Sequence, residues 1–146
     1  MSRPELCFVD ATILGALITP GPTSDKALRW LRAGQDSWIT SEISMALCLA
    51  NLTAQGISPT EQQACMDRLL LVLRHGVGLR SLPIQSMGPP QGLQAHPLPP
   101  LQRLQLQAAL HGRCGCLMSN DSALVTASRQ VGLPAFGLTL AAATQA

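Results

Sequence analysis

Short runs of consecutive apolar residues alternate along the chain with longer stretches in which apolar positions recur every three or four residues. Residues 6–9 (LCFV) form a continuous apolar run, the mark of a strand buried on both faces. After a loop, GPTSDKALRWLRAG sets Ala27, Leu28 and Leu31 on one helical face; Ser24 can cap that helix and Gly34 ends it. SWIT (37–40) reads as a second strand. Helical spacing then runs from Ser41 through ISMALCLANL to Gly56. SPTE (58–61) is a further helix start, with Ser58 as cap, Pro59 in the first turn and Glu61 closing a capping box. That helix carries Met66, Leu70 and Leu73 and ends near His75 and Gly76. GLRSLPI (78–84) predicts a third strand. Residues 87–100 hold five prolines and two glycines and predict a proline-stiffened loop. LQRLQLQAALHG resumes a helix that Gly112 ends, GCLMS (115–119) is a strand, NDSALVTASRQVG is a helix started by Asn120 or Asp121 and stopped at Gly132, and LPAFGL is a last short strand. No internal repeat is present.

The order is β-α-β-α-α-β-α-β-α-β. Strands joined through helices imply an α/β fold: three layers, α/β/α, around a central, mostly parallel sheet. The length, 146 residues, suits one domain spanning residues 1–146. On such sheets ligands bind at the carboxyl ends of the strands.

Composition narrows the function classes. Charged residues are 12% of the chain, about half of the roughly 25% usual in soluble proteins. Two readings fit equally: a polar surface built from Gln, Ser and Thr, or a surface partly covered by a partner or a second copy. Net charge is +2, too small to imply nucleic acid by itself. The cations are nine Arg and one Lys; the Arg fork suits phosphate, although genome composition gives the same bias. The five cysteines contain no CxxC pair or zinc spacing and are expected to be reduced and buried. The apolar run from Arg3 to Ile18 has the outline of a signal peptide, but Glu5 and Asp10 interrupt it and no clean cleavage site follows. No stretch has the apolar length of a membrane span. A soluble, cytoplasmic protein without membrane association is expected. His75, His96 and His111 fall in no pattern that pairs them with a Ser or Cys nucleophile. GPTSDK lacks the spacing of a phosphate loop.

The placement of the acids is more informative. Of eight, three occupy strand-to-helix junctions: Asp10 after the first strand, Glu42 after the second and Asp121 after the fourth, with Ser41 and Asn120 beside them. Carboxylates gathered at one edge repel unless a cation or protons intervene, and oxygen ligands select Mg²⁺ or Mn²⁺. Capping is the competing explanation: Asp121 and Glu42 can each serve the start of their own helix. For Asp10 a cap looks less useful, because the residues after it remain apolar.

FVDATILGAL, WITSEISMALCLANL and LQLQAALHGRCGCLMSNDSALVTASRQVGL together resemble the PIN domain family, the metal-dependent ribonuclease fold of many bacterial toxins of toxin–antitoxin pairs. The resemblance covers nearly the whole chain in order and spacing, on short motifs. It implies that Asp10 and Asp121 are metal ligands and that Thr12 and Ser119 are the family's accompanying hydroxyl residues. It also implies Mg²⁺ or Mn²⁺ as cofactor, RNA as substrate, and an antitoxin protein or a second copy as partner. Two positions depart from the family's pattern: Leu47 stands where a Glu is usual and Gln102 where an Asp is usual. Glu42 lies five residues before Leu47, about 140° round a helix, so it does not replace that acid on the same face. Gln102 offers a carbonyl oxygen without charge.

Two functions follow. The first is a PIN-type endoribonuclease with catalytic Asp10, Glu42 and Asp121. There Asp10 and Asp121 ligate a weakly held ion, Thr12, Ser119, Asn120 and Gln102 orient water or phosphate, and Arg29, Arg32, Arg103 or Arg113 meets the RNA backbone. The second is a PIN-like scaffold with impaired chemistry that binds RNA or protein.

Overall fold

In the computed structural model, which describes residues 6–19, 22–33, 38–75, 80–82 and 98–137, the elements run in this order: β1 (Cys7–Val9), α1 (Ala11–Ile18), α2 (Pro22–Ala33), β2 (Trp38–Ser41), α3 (Glu42–Ala54), α4 (Pro59–His75), β3 (Arg80–Leu82), α5 (Pro100–His111), β4 (Cys116–Met118), α6 (Ser122–Gln130) and β5 (Ala135–Phe136). The strands pair in the order β3-β2-β1-β4-β5, and every pairing is parallel. The chain steps outward from β1 to β2 to β3, then returns across the sheet to place β4 on the other side of β1. The strand order therefore reverses between β1 and β4. In open α/β sheets this is where ligands bind, beyond the carboxyl ends of the strands.

Side chains of neighbouring strand residues point to opposite faces, and the core divides accordingly. Cys7, Val9, Trp38 and Met118 pack with α1 and with residues of α2, α3 and α4, among them Leu14, Leu31, Cys48 and Leu69. Phe8, Ile39, Leu117 and Ala135 face the other way, onto Leu106 and Ala109 of α5 and Leu124 and Ala127 of α6. The result is the three-layer α/β/α arrangement expected from the alternation of elements.

One helix was not expected. The segment read as a loop after Asp10 is α1, eight residues of which Ala11, Ile13, Leu14, Leu17 and Ile18 are buried. A helix enclosed on most sides has no polar stripe, so it leaves no 3.6-residue signature; Gly15 and two isoleucines lower its intrinsic propensity further. Its stability comes from packing on the sheet, α2 and α3.

Other local expectations shift by a few residues. Ser24 does not cap α2, which begins at Pro22; its hydroxyl donates to the Leu17 carbonyl at 3.0 Å and ties α2 to the end of α1. Ser58 receives the Glu61 amide, half of the expected capping box. Gly112 does end α5, but the left-handed turn that follows falls on Arg113, at φ 55°. Gly132, with φ 88°, stops α6 in the left-handed conformation that favours glycine. Most of the proline-rich loop (residues 87–97, with His96) and Gly34 lie outside the described residues. All five cysteines are free thiols, and burial pushes Cys48 and Cys114 up to about 12, which keeps both protonated and unreactive. Among the described residues, no helix is long and apolar enough to cross a membrane.

Candidate functional site

β1 and β4 end side by side, with Val9 in register with Met118. The next residue on each strand, Asp10 and Ser119, therefore emerges at the switch point. Asp10 is 1% exposed. It is the N-cap of α1: Oδ1 accepts the backbone amides of Thr12 (3.0 Å) and Ile13 (3.1 Å). The expectation that Asp10 would have little use as a cap is thereby corrected, since it assumed no helix after β1. Capping is only part of its role. Oδ1 also accepts the Thr12 hydroxyl at 2.6 Å, and Oδ2 accepts the Ser119 hydroxyl at 2.5 Å.

Each of these two hydroxyls also accepts a backbone amide from the turn between β4 and α6. The Asn120 amide donates to Thr12 Oγ1 at 2.8 Å, and the Asp121 amide donates to Ser119 Oγ at 2.9 Å. A hydroxyl has one proton to give. Because both hydroxyls receive an amide, both protons are directed onto Asp10. The turn carrying Asn120 and Asp121 is thus fixed to Asp10 through two parallel hydroxyl bridges, from residues 108 and 109 positions distant. Asp121 in turn caps α6, its Oδ1 accepting the amides of Ala123 and Leu124. In both acids Oδ1 is committed to a helix N-terminus, while Oδ2 keeps acceptor capacity: one protein hydrogen bond for Asp10 and, among the described residues, none for Asp121.

A deeper layer supports this cluster. The side-chain oxygen of Gln105 on α5 accepts the Ala11 amide at 2.8 Å, satisfying another orphan donor at the start of α1. Gln105 is 1% exposed. Thr40 donates to the Val9 carbonyl at 2.8 Å, and Ser41 caps α3 through the Ser44 amide. Gln105 was not anticipated. The α5 residue singled out in the sequence, Gln102, is half-buried one turn earlier in the helix, and it is Gln105 that reaches α1. Gln105 lies three and four residues before Ala108 and Ala109, on the buried face, and that spacing is visible in the sequence.

Glu42 stands apart. It is the first residue of α3, its side chain is exposed, and among the described residues no hydrogen bond joins it to the Asp10 cluster. Leu47, at the position where the family has a Glu, is packed against the apolar core on the α1 side. Arg29 and Arg113 are exposed, Arg103 donates to the Leu98 carbonyl at 3.4 Å, and the side chain of Arg32 lies outside the described residues.

Burial dominates the electrostatics of Asp10. Desolvation pushes its carboxyl up from 3.8 to about 6, against the opposing pull of the hydrogen bonds from Ser119, Thr12 and Ile13. Near neutral pH the site therefore holds a buried, incompletely compensated negative charge. The Oδ2 atoms of Asp10 and Asp121 are of the hard oxygen type that suits a divalent cation, but among the described residues no group of three or more His, Cys, Asp or Glu gathers to hold a metal ion.

Against known proteins, no family model matches the sequence, and no curated protein matches it. The fold is similar to that of a PilT N-terminus domain protein from the hyperthermophilic archaeon Sulfolobus solfataricus P2. The two chains are 14% identical, with a TM-score of 0.55, over 95% of this chain and 92% of the other. The architecture is PIN-like, as the sequence resemblance implies.

Two expectations follow. Truncating Gln105 to Ala leaves the Ala11 amide buried without an acceptor, at a cost of about 1–3 kcal/mol in chemical unfolding. Next, in metal-free protein Asp10 holds its proton to higher pH in the native state than in the unfolded chain. Its contribution to stability is then full below pH 3.8 and falls by about 3 kcal/mol as pH rises through 6. Asp10→Asn keeps the cap, since Asn is as good there as Asp, but has no such titration. Unfolding free energies measured between pH 4 and 7 should therefore fall with pH more steeply for the wild type than for the Asn variant.

Proposed function

We propose that this protein is a PIN-like ribonuclease that hydrolyses RNA phosphodiesters around a single Mg²⁺ or Mn²⁺. The observation that carries the reading is the pairing of Asp10 and Asp121 through Ser119 at the switch point, each with an oxygen still able to accept. A divalent cation there would supply Lewis-acid polarisation of the phosphate and a more acidic attacking water. The chain's own residues do the rest. Asp10 and Asp121 would hold the ion. Ser119 and Thr12 fix the spacing of those two carboxylates, because each donates to Asp10 and receives the turn that bears Asp121. Asn120, exposed beside them, orients water or a phosphate oxygen. Glu42, at the exposed start of α3, and Gln102 on α5 lie outside the hydrogen-bonded cluster and have accessory roles at most.

A role as the toxin of a toxin–antitoxin pair, acting in the cytoplasm with a protein antitoxin or as a homodimer, belongs to the same proposal. It rests on the family resemblance and the low charge of the chain. A second reading has a specific observation in its favour: Leu47 packs against the core where the family carries an acid. On that reading the protein keeps the fold and binds RNA or protein without cleaving it.

Cleavage of a mixed single-stranded RNA pool decides between them. The ribonuclease reading expects cleavage with Mn²⁺, none with chelator, and a loss of at least about 100-fold in both Asp10→Asn and Asp121→Asn, more than an outer-shell residue usually costs. Cleavage that survives either substitution, or a folded wild type that binds RNA and leaves it intact with Mn²⁺, overturns it.

A further inference from the structure

Beside the Asp10 cluster, on the β4–β5 side, lies a cleft of about 360 Å³ whose lining includes Asn120, Ser122, Thr126, Arg129 and Gly137. From its position and donors, we infer that this cleft holds the sugar–phosphate backbone of the nucleotide next to the scissile phosphate, with Arg129 as the phosphate clamp. The inference deepens the ribonuclease reading and rests on it.

Ser122, Thr126 and Arg129 are spaced four and three residues apart on α6, so they form one stripe along the helix. The stripe begins next to Asp121, whose side chain caps the same helix, and runs away from the acids for about 10 Å. All three side chains are exposed. Among the described residues the hydroxyls of Ser122 and Thr126 have no hydrogen-bond partner, and Arg129 has no carboxylate partner.

Arg129 is nonetheless held in place. Its Nε–H donates to the Ala135 carbonyl at 2.9 Å, which fixes the guanidinium plane against the start of β5. That bond uses one of five donors. Among the described residues the four N–H groups on the terminal amines have no partner, and their fork geometry suits the oxygens of a phosphate. On the opposite wall Gly137 approaches the β4–α6 turn closely: a Cβ there would stand 3.0 Å from the Ser119 carbonyl and 3.2 Å from Asn120 Oδ1. A larger residue would press on the turn that carries the site. The cleft therefore is lined by an anchored cation, two hydroxyls on α6, and Ser119 and Asn120 of the turn that leads to Asp121. Cation and hydroxyls suit the alternating phosphate and ribose oxygens of a single strand, and none of these groups reads bases, so the contact is sequence-independent.

The test is binding of a short fluorescein-labelled single-stranded RNA, followed by anisotropy in chelator at several salt concentrations, so that no cleavage occurs. Arg129→Gln removes the charge. Thr126→Glu sets a carboxylate in the cleft at a position with no protein hydrogen bond to lose, which separates docking from any loosening of β5. Each is expected to weaken binding about tenfold at low salt, and Arg129→Gln to reduce the slope of log K against log salt by about 0.7, one phosphate contact on a single strand. Both variants binding as the wild type does, with an unchanged slope, would overturn the inference even if the wild type cleaves RNA. So would a wild type that does not bind. Arg129-dependent binding by a protein that never cleaves would instead sink the ribonuclease reading and leave the docking site standing.

Discussion

The Asp10 carboxylate accepts four hydrogen bonds, and these, together with the backbone pairing of β1 and β4, connect the end of β1, the start of α1 and the β4–α6 turn. Two come from the first turn of α1 and start a helix that has little propensity of its own. The other two come from the hydroxyls of Thr12 and Ser119, which pass the restraint on to the β4–α6 turn. Asp10 thus sets where α1 begins and where Asp121 sits. Gln105 completes the arrangement from the opposite layer by satisfying the amide of Ala11. The same carboxylate is nearly inaccessible to water, so its negative charge is costly wherever it is not balanced. A residue that must be ionised to accept all these donors, yet is destabilised by burial, is a natural place for a cation to contribute.

The cluster also has fewer acids than the PIN family pattern that the sequence resembles. A second ion would need further carboxylates. The positions that supply them in the family carry Leu47, partly buried against the core, and Gln102, which is uncharged. With both Oδ1 atoms taken by helix caps and Asp10 Oδ2 already accepting the Ser119 hydroxyl, a metal on the proposed reading would have only the two Oδ2 atoms to draw on. On the proposed ribonuclease reading, affinity for RNA would have to come from elsewhere on the surface, where exposed Arg129 is held through its Nε by the Ala135 carbonyl.

Much of this was legible in the sequence. The apolar runs at residues 6–9 and 116–118 locate the central strand β1 and its neighbour β4, and the residues after them, Asp10 and Ser119 to Asp121, do meet at one edge. The alternation of elements was enough to predict a parallel three-layer sheet. What escaped notice has physical reasons. α1 is surrounded, so its eight residues show no amphipathic period. Gln105 is polar in a helix with three other glutamine or arginine positions, and only the helix register decides which one is buried. Asp10 looked unsuited to capping because the helix it caps was invisible. Arg129 reads as a surface cation until the fold puts α6 beside the turn bearing Asp121.

The central claim is that Asp10 is a buried carboxylate whose charge is left for a cation to balance. A carboxyl-carbon NMR titration of Asp10, with and without Mg²⁺, tests it most directly. The account predicts a value of about 6 in metal-free protein and a marked fall when Mg²⁺ is added, because the ion favours the ionised form. A value at the ordinary 3.8 without metal, or one that millimolar Mg²⁺ leaves unmoved, would contradict it and make Asp10 a structural cap alone.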